Sequence, residues 1–179
     1  GYGINPEMVQ TAFDEGVRFI ITCDNGIAAA PAIDLAKELG MTFVVTDHHE
    51  VPFELAADGE TKVQKLPQAD AVVDPKRDDC SYPFKGICGA QVAWKLVDVL
   101  FEFIGIEKEK TDRFLQFAAI ATVCDVMELK GENRATVYQG IKAIEATDNI
   151  GLDALVARND LKGKPLSCYH LGFIIGPCL

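Results

Sequence analysis

Histidine is scarce in this chain, three residues among 179, and tryptophan occurs once. No apolar run approaches the roughly 18 residues that suggest a membrane span, so a transmembrane segment is not expected. A basic-then-apolar leader is missing as well, and the chain opens on Gly1 rather than on methionine. Six cysteines, at 23, 80, 88, 124, 168 and 178, include no Cys-x-x-Cys pair, which argues against a zinc ribbon. Cys23 and Cys124 lie in apolar runs and are expected to behave as small hydrophobes, in a reducing, cytoplasmic compartment. Basic residues are in the minority, 17 Lys and Arg against 27 Asp and Glu, for a net charge of −10. That balance argues against broad phosphate-backbone binding by this segment alone. It leaves a phosphoester substrate open, because carboxylates that hold divalent metals count as negative until the metal arrives. Internal repeats and low-complexity tracts are also absent.

What is present is ordinary globular material, 49% hydrophobic and 25% charged, with enough length for one domain with a sizeable core or at most two small ones. Residues 6–15 carry a helical stripe of Met8, Val9, Ala12 and Phe13, opened by Pro6 and closed by Gly16. The run 17–23, "VRFIITC", reads as a buried strand, 28–40 as a helix stopped by Gly40, and 41–46 as a second strand. A third strand ends at Pro75, after a polar, turn-rich excursion over 53–67. Strands alternating with helices predict an α/β fold, a parallel sheet flanked by helices and covered on both faces. From residue 86 the pattern becomes helical, with long helices predicted over 86–105 and 109–129 and shorter ones beyond. The chain is therefore read as an α/β part, 1–85, and a mostly helical part, 86–179. Both ends are expected to be cuts from a longer protein.

Two strand ends carry the chemistry. "CDNG" closes one strand at Asp24, and "DHH" closes the next at Asp47, His48 and His49. One crossover helix lies between them, so the strands should be parallel neighbours and their carboxyl ends should share one edge of the sheet, where ligands bind. Asn25-Gly26 supplies the tight turn after Asp24. Asp125 shares a helix face with Phe114, Ala118 and Ala121, and a lone carboxylate buried there would need a cation. Carboxylates with imidazole suit manganese, and carboxylates with water suit magnesium. Two such ions about 3.5–4 Å apart are a standard device for phosphoester hydrolysis. Asp24 could bridge two metals, with His48 and Asp125 completing one of them. The plainer alternatives are a turn residue for Asp24, an incidental surface pair for the histidines, and a cap or an ion pair with Arg134 for Asp125. Asp74, at the third strand end, is read as structural. Lys76, Arg77 and Lys85 could touch a nucleic acid strand, or form a solvated loop with Asp78 and Asp79.

"TCDNG" followed by "TDHHE" resembles the DHH phosphoesterase superfamily. "VVDPKRDDCSYPFKGICGAQVAWKL", "ATVCDVMELKGENR" and "LGFIIGPCL" resemble, more narrowly, the RecJ-type single-strand-specific DNA exonucleases. The resemblance implies metal ligation by Asp24, His48 and Asp125, with Mn²⁺ or Mg²⁺ in a two-metal site. It places His49 near the scissile phosphate, with Asp47 beside it as the other catalytic candidate, and it gives Arg134 a site role. It implies 5′-to-3′ hydrolysis of single-stranded DNA in recombination and repair, with no membrane association. The family's Asp-x-Asp motif is expected upstream of Gly1, and its nucleic-acid-binding domains are expected after Leu179, so the fragment alone is expected to be inactive. Asp74-Pro75 stands where the family commonly has Asn-Pro, and Met127-Glu128 where it has a Val-Pro-like pair. Other readings are a DHH hydrolase of small phosphoesters, such as pyrophosphate, short oligonucleotides or cyclic dinucleotides, and a non-catalytic binding module.

Overall fold

The computed structural model describes residues 3–107 and 109–179. The chain divides into two compact units, residues 1–85 and 86–179.

In the first unit, Asn5 opens helix α1 (Pro6–Asp14) by accepting the Met8 N–H at 3.0 Å. Pro6 occupies the first turn, where a missing N–H breaks no helical bond. Strand β1 (Phe19–Ile21), helix α2 (Ala30–Glu38) and strand β2 (Thr42–Thr46) form a βαβ unit. A hairpin, β3 (Phe53–Leu55) with β4 (Lys62–Gln64), precedes strand β5 (Ala71–Val73). β1, β2 and β5 make a parallel sheet in that order, with Ile20 opposite Phe43 and Thr46 opposite Val73. Alternation along β2 sends Phe43 and Val45 into a core with Val9, Ala32, Ile33, Ala36 and Met41. Phe19, Ile21 and Val73 belong to the opposite face and are exposed. The sheet is thus flanked by helices, with α1 and α2 packed against the face that carries Phe43 and Val45.

The stretch read as a polar excursion is the hairpin. Its turn is built by Asp58, which accepts the N–H groups of Glu60 and Thr61 and the Thr61 hydroxyl. These bonds hold the Asp58 carboxyl down at about 2. Period-two patterning is weak in so short and polar a pair, so the sequence signal was the turn rather than the strands.

The second unit is helical: α3 (Gly89–Phe103), α4 (Glu109–Asp112), α5 (Leu115–Cys124), α6 (Gly131–Glu145), α7 (Ile150–Arg158) and α8 (Cys168–His170). α8 runs on into a wider π turn, Leu171–Ile175, and a final tight turn, Gly176–Cys178. Ala119, Ile120, Val137, Ile144, Leu152, Val156 and Leu171 form its core. α5 and α6 touch closely because Gly140 has no side chain. A methyl group there would fall 2.2 Å from Ala119 Cβ and 2.8 Å from the Leu115 carbonyl oxygen.

The helix expected over 109–129 is broken twice. The Thr111 carbonyl accepts the Trp94 indole N–H at 3.2 Å and the Phe114 N–H at 2.9 Å, so the chain turns between α4 and α5. At the other end α5 stops at Cys124, one residue before Asp125. The cysteine expectation is corrected too: Cys23 and Cys124 are exposed, and Cys88 is the buried one. Among the described residues no helix is long and apolar enough to cross a membrane.

Candidate metal centre

Asp24 and His48 do emerge at one edge of the sheet, as the βαβ reading requires. A pair of threonines clamps the two strand ends together. Thr46 donates its hydroxyl to the Thr22 carbonyl at 2.5 Å, and the Thr22 hydroxyl accepts the Thr46 N–H at 3.2 Å while donating to the Asn25 carbonyl. Gly26 completes the clamp. Its φ of +115° and its distance of about 3 Å from Thr22 and Val45 at the Cβ position exclude larger residues. Sequence reasoning found the turn here and missed both threonines, although each lies within two residues of a motif aspartate.

Asp24 itself has φ 61°, the left-handed region that aspartate and asparagine enter more readily than most residues. That conformation brings its Oδ1 to 2.9 Å from His48 Nε2, with the His48 ring only 7% exposed and the Asp24 carboxylate 54% exposed. His49 follows, and potential ligand atoms of Asp24, His48 and His49 all lie within 4.8 Å of one another. One carboxylate oxygen with imidazole nitrogens in so small a volume is a donor set that suits Mn²⁺. The residues present fit the ion.

Asp47 is not part of that cluster. It is 1% exposed and accepts four hydrogen bonds: from the N–H of Ile27 at 2.9 Å, His48 at 2.8 Å and His49 at 3.3 Å, and from His49 Nδ1 at 2.7 Å. Burial alone would push its carboxyl up, but these bonds outweigh it and hold the group below its ordinary value of 3.8. An ionised carboxylate only accepts, so the His49 proton sits on Nδ1, and Nε2 is the atom turned to other work. The bond from Ile27 also ties the "CDNG" turn to the "DHH" turn. A cleft of about 540 Å³ opens there, lined by Asp24, Asn25, Ile27, Asp47, His49 and Glu50 among others.

Asp74 ends β5 next to this edge. The Val73 carbonyl accepts the Asp47 N–H at 3.0 Å, and Asp74 Oδ1 accepts the Lys76 N–H at 2.8 Å. Its Oδ2 is buried and accepts no hydrogen bond among the described residues. Burial pushes the Asp74 carboxyl up, and neighbouring Asp47 adds to the effect. Lys76 pairs with Glu50 at 2.8 Å, at the border of the cleft. Arg77 is bound within its own loop, to both oxygens of Asp79 and to the Val72 carbonyl. Lys85 donates to the Cys80 carbonyl.

Asp125 belongs to the second unit, and its surroundings differ from the expectation. It is exposed, at the C-cap of α5, so no buried charge demands a cation. Its N–H bonds the Ala121 carbonyl at 2.8 Å, and the Met127 N–H reaches back to the Thr122 carbonyl at 3.1 Å. Val126 between them has φ 54°, an outlier for a β-branched residue. Helices that stop this way usually have glycine at that position, and valine gave no warning of it. Arg134 is exposed in the first turn of α6.

A parallel α/β unit with a carboxylate–imidazole cluster at its carboxyl edge defines the class: an α/β domain whose strand ends carry a donor set that suits a divalent metal. The sequence matches the DHH family, N-terminal domain, over residues 4–122, and the chain belongs to that family. It is 34% identical over 189 aligned positions to the single-stranded-DNA-specific exonuclease RecJ of Escherichia coli, covering all of this chain and 31% of that protein. Against RecJ of Bacillus subtilis the identity is 37%, covering 87% of this chain and 18% of the relative. The fold is similar to a crystal structure of exonuclease RecJ bound to manganese, with a TM-score of 0.79 and 29% identity, covering 99% of this chain and 41% of that one. The chain thus spans about a third or less of the curated relatives it matches.

Proposed function

We propose that these residues are part of the catalytic core of a metal-dependent exonuclease that removes nucleotides from single-stranded DNA in the 5′-to-3′ direction. The observation that carries the reading is the cluster of Asp24, His48 and His49 at the joined ends of β1 and β2, in a DHH-family chain whose relatives are RecJ exonucleases. Asp24 and His48 would hold the metal, Mn²⁺ or Mg²⁺, and Asp125 is kept as a further ligand on the family resemblance. Divalent ions in such sites supply an activated water and charge stabilisation at the phosphoryl oxygens. The chain's own residues do the rest. Asp24 presents a carboxylate from a backbone conformation that keeps it at the strand end. Asp47 orients His49 without touching substrate, so it is a positioning residue rather than a catalytic one. His49 Nε2 stabilises the charge that grows on the phosphate as water adds to phosphorus and the bond to the leaving sugar oxygen breaks. The products are a phosphate monoester and a free hydroxyl. Lys76 and Arg134 are proposed strand contacts; Arg77 is the weakest of the three, since its guanidinium is already bound.

The test is release of nucleotides from an end-labelled single strand in Mn²⁺ by the enzyme that contains these residues. Asp24→Asn is expected to abolish release and leave the fold unchanged by circular dichroism. An Asp24→Asn enzyme that degrades DNA at the normal rate would overturn the reading.

A further inference from the structure

A buried amide pair in the second unit has no part in the chemistry above. Asn133 is 0% exposed and uses all of its amide: Nδ2 donates to the Gly86 carbonyl at 2.7 Å and the Glu128 carbonyl at 3.0 Å, and Oδ1 accepts Gln91 Nε2 at 2.7 Å. Gln91, also 0% exposed, donates in addition to the Thr122 hydroxyl at 2.9 Å and accepts from the Thr136 hydroxyl at 3.3 Å. Thr122 in turn donates to the Ala118 carbonyl. The two anchor points of this network, Thr122 and Glu128, bracket Asp125. Thr122 also supplies the carbonyl on which the turn closes through Met127. Between the anchors lies Val126, 86% exposed and in the left-handed region.

A strained backbone persists only where its surroundings over-determine it. Nothing about an exposed valine side chain holds it at φ 54°, so the restraint has to come from both sides of the turn. Backbone bonds from Asp125, Val126 and Met127 close the turn, and the amide network ties its two sides, Thr122 and Glu128, to one another. We propose that Asn133, through Gln91 and Thr122, is a positioning residue for Asp125: it holds the turn in the strained conformation that presents the carboxylate. The inference rests on the reading of Asp125 as a metal ligand. Outer partners of ligands commonly alter metal affinity by about 10–100-fold.

Two measurements on the full chain test it. Hydrogen exchange at the Met127 N–H reports the turn without any metal. It should speed up at least tenfold in Asn133→Ala, while the Leu152 N–H, bonded to Asn149 at the start of α7, should not change. Mn²⁺ affinity, read by electron paramagnetic resonance, should fall in Asn133→Ala by about tenfold or more. The deciding variant is Asn133→Ala with Val126→Gly. Glycine adopts the left-handed conformation without restraint, so the double variant should regain most of the Mn²⁺ affinity although the buried network stays broken. Gly140→Ala, which loosens α5 against α6 away from the turn, should lower the melting temperature and leave Mn²⁺ affinity unchanged. Unchanged exchange at Met127, or no rescue by Val126→Gly, would overturn the proposal. If Asp125→Ala leaves Mn²⁺ affinity untouched, the ligand reading fails instead, and the two failures are told apart by the metal-free exchange data.

Discussion

Asp47 is buried where two turns of the candidate site meet. Its four hydrogen bonds come from two different turns, so removing its charge should loosen both. Asp47→Asn keeps an acceptor oxygen but turns an amide group toward N–H donors, and buried donors left unsatisfied cost about 1–3 kcal/mol. The carboxyl is held below 3.8 in the folded chain, so its stabilisation is present above that value and is lost as pH falls through the folded value. Urea unfolding should therefore separate the unsubstituted chain from Asp47→Asn at pH 7, and the gap should narrow well below pH 4. A gap of equal size at pH 7 and pH 3 would show that charge is not what the turns need. The family resemblance implies a place near the scissile phosphate for His49; the hydrogen bond from its Nδ1 to Asp47 could not be read from spacing, because the "DHH" triplet does not say which neighbour is buried.

Among the elements, α5 is the one whose contacts are tightest and whose ends were hardest to foresee. Gly140→Ala should push α6 off α5 and destabilise the chain by about 1–3 kcal/mol, the usual range for overpacking. Ala119→Gly should recover part of that loss in the double variant, since Ala119 Cβ is the nearest obstacle. Chemical denaturation of the four proteins measures the coupling, and strict additivity would mean the two residues do not meet. The sequence showed α1, β1, α2, β2 and β5 through apolar periodicity, with ends displaced by one or two residues. It did not show the ends of α5, and for a physical reason. Periodicity reports which face is buried, whereas a helix ends where carbonyls find other donors: Trp94 takes the Thr111 carbonyl of α4 just before α5, and Met127 takes the Thr122 carbonyl at its far end. Asp125 was consequently placed inside an apolar helix when it sits exposed at its end.

For the whole chain, the question is what 179 residues can do alone. They hold Asp24, His48 and His49 in place and contain no Asp-x-Asp, the motif that the family resemblance assigns to the other metal position. Displacement at phosphorus by two ions needs both positions. This chain is expected to bind Mn²⁺ with reduced affinity and to release no nucleotide from an end-labelled single strand. Sustained degradation by the chain, with Asp24→Asn as the control against contaminating nucleases, would sink the two-metal account. The parallel sheet and the meeting of Asp24 with His48 followed from one rule about crossover connections.

The left-handed backbone at Asp24 also bears on how such a chain could drift. A position held at φ 61° admits glycine and asparagine most easily besides aspartate, and each differs from aspartate by a single nucleotide in its codon. Either substitution would leave the turn comfortable and remove the charge. Copies of this domain released from selection should therefore lose their metal early and their shape late, persisting as folded proteins in which only the chemistry has been erased.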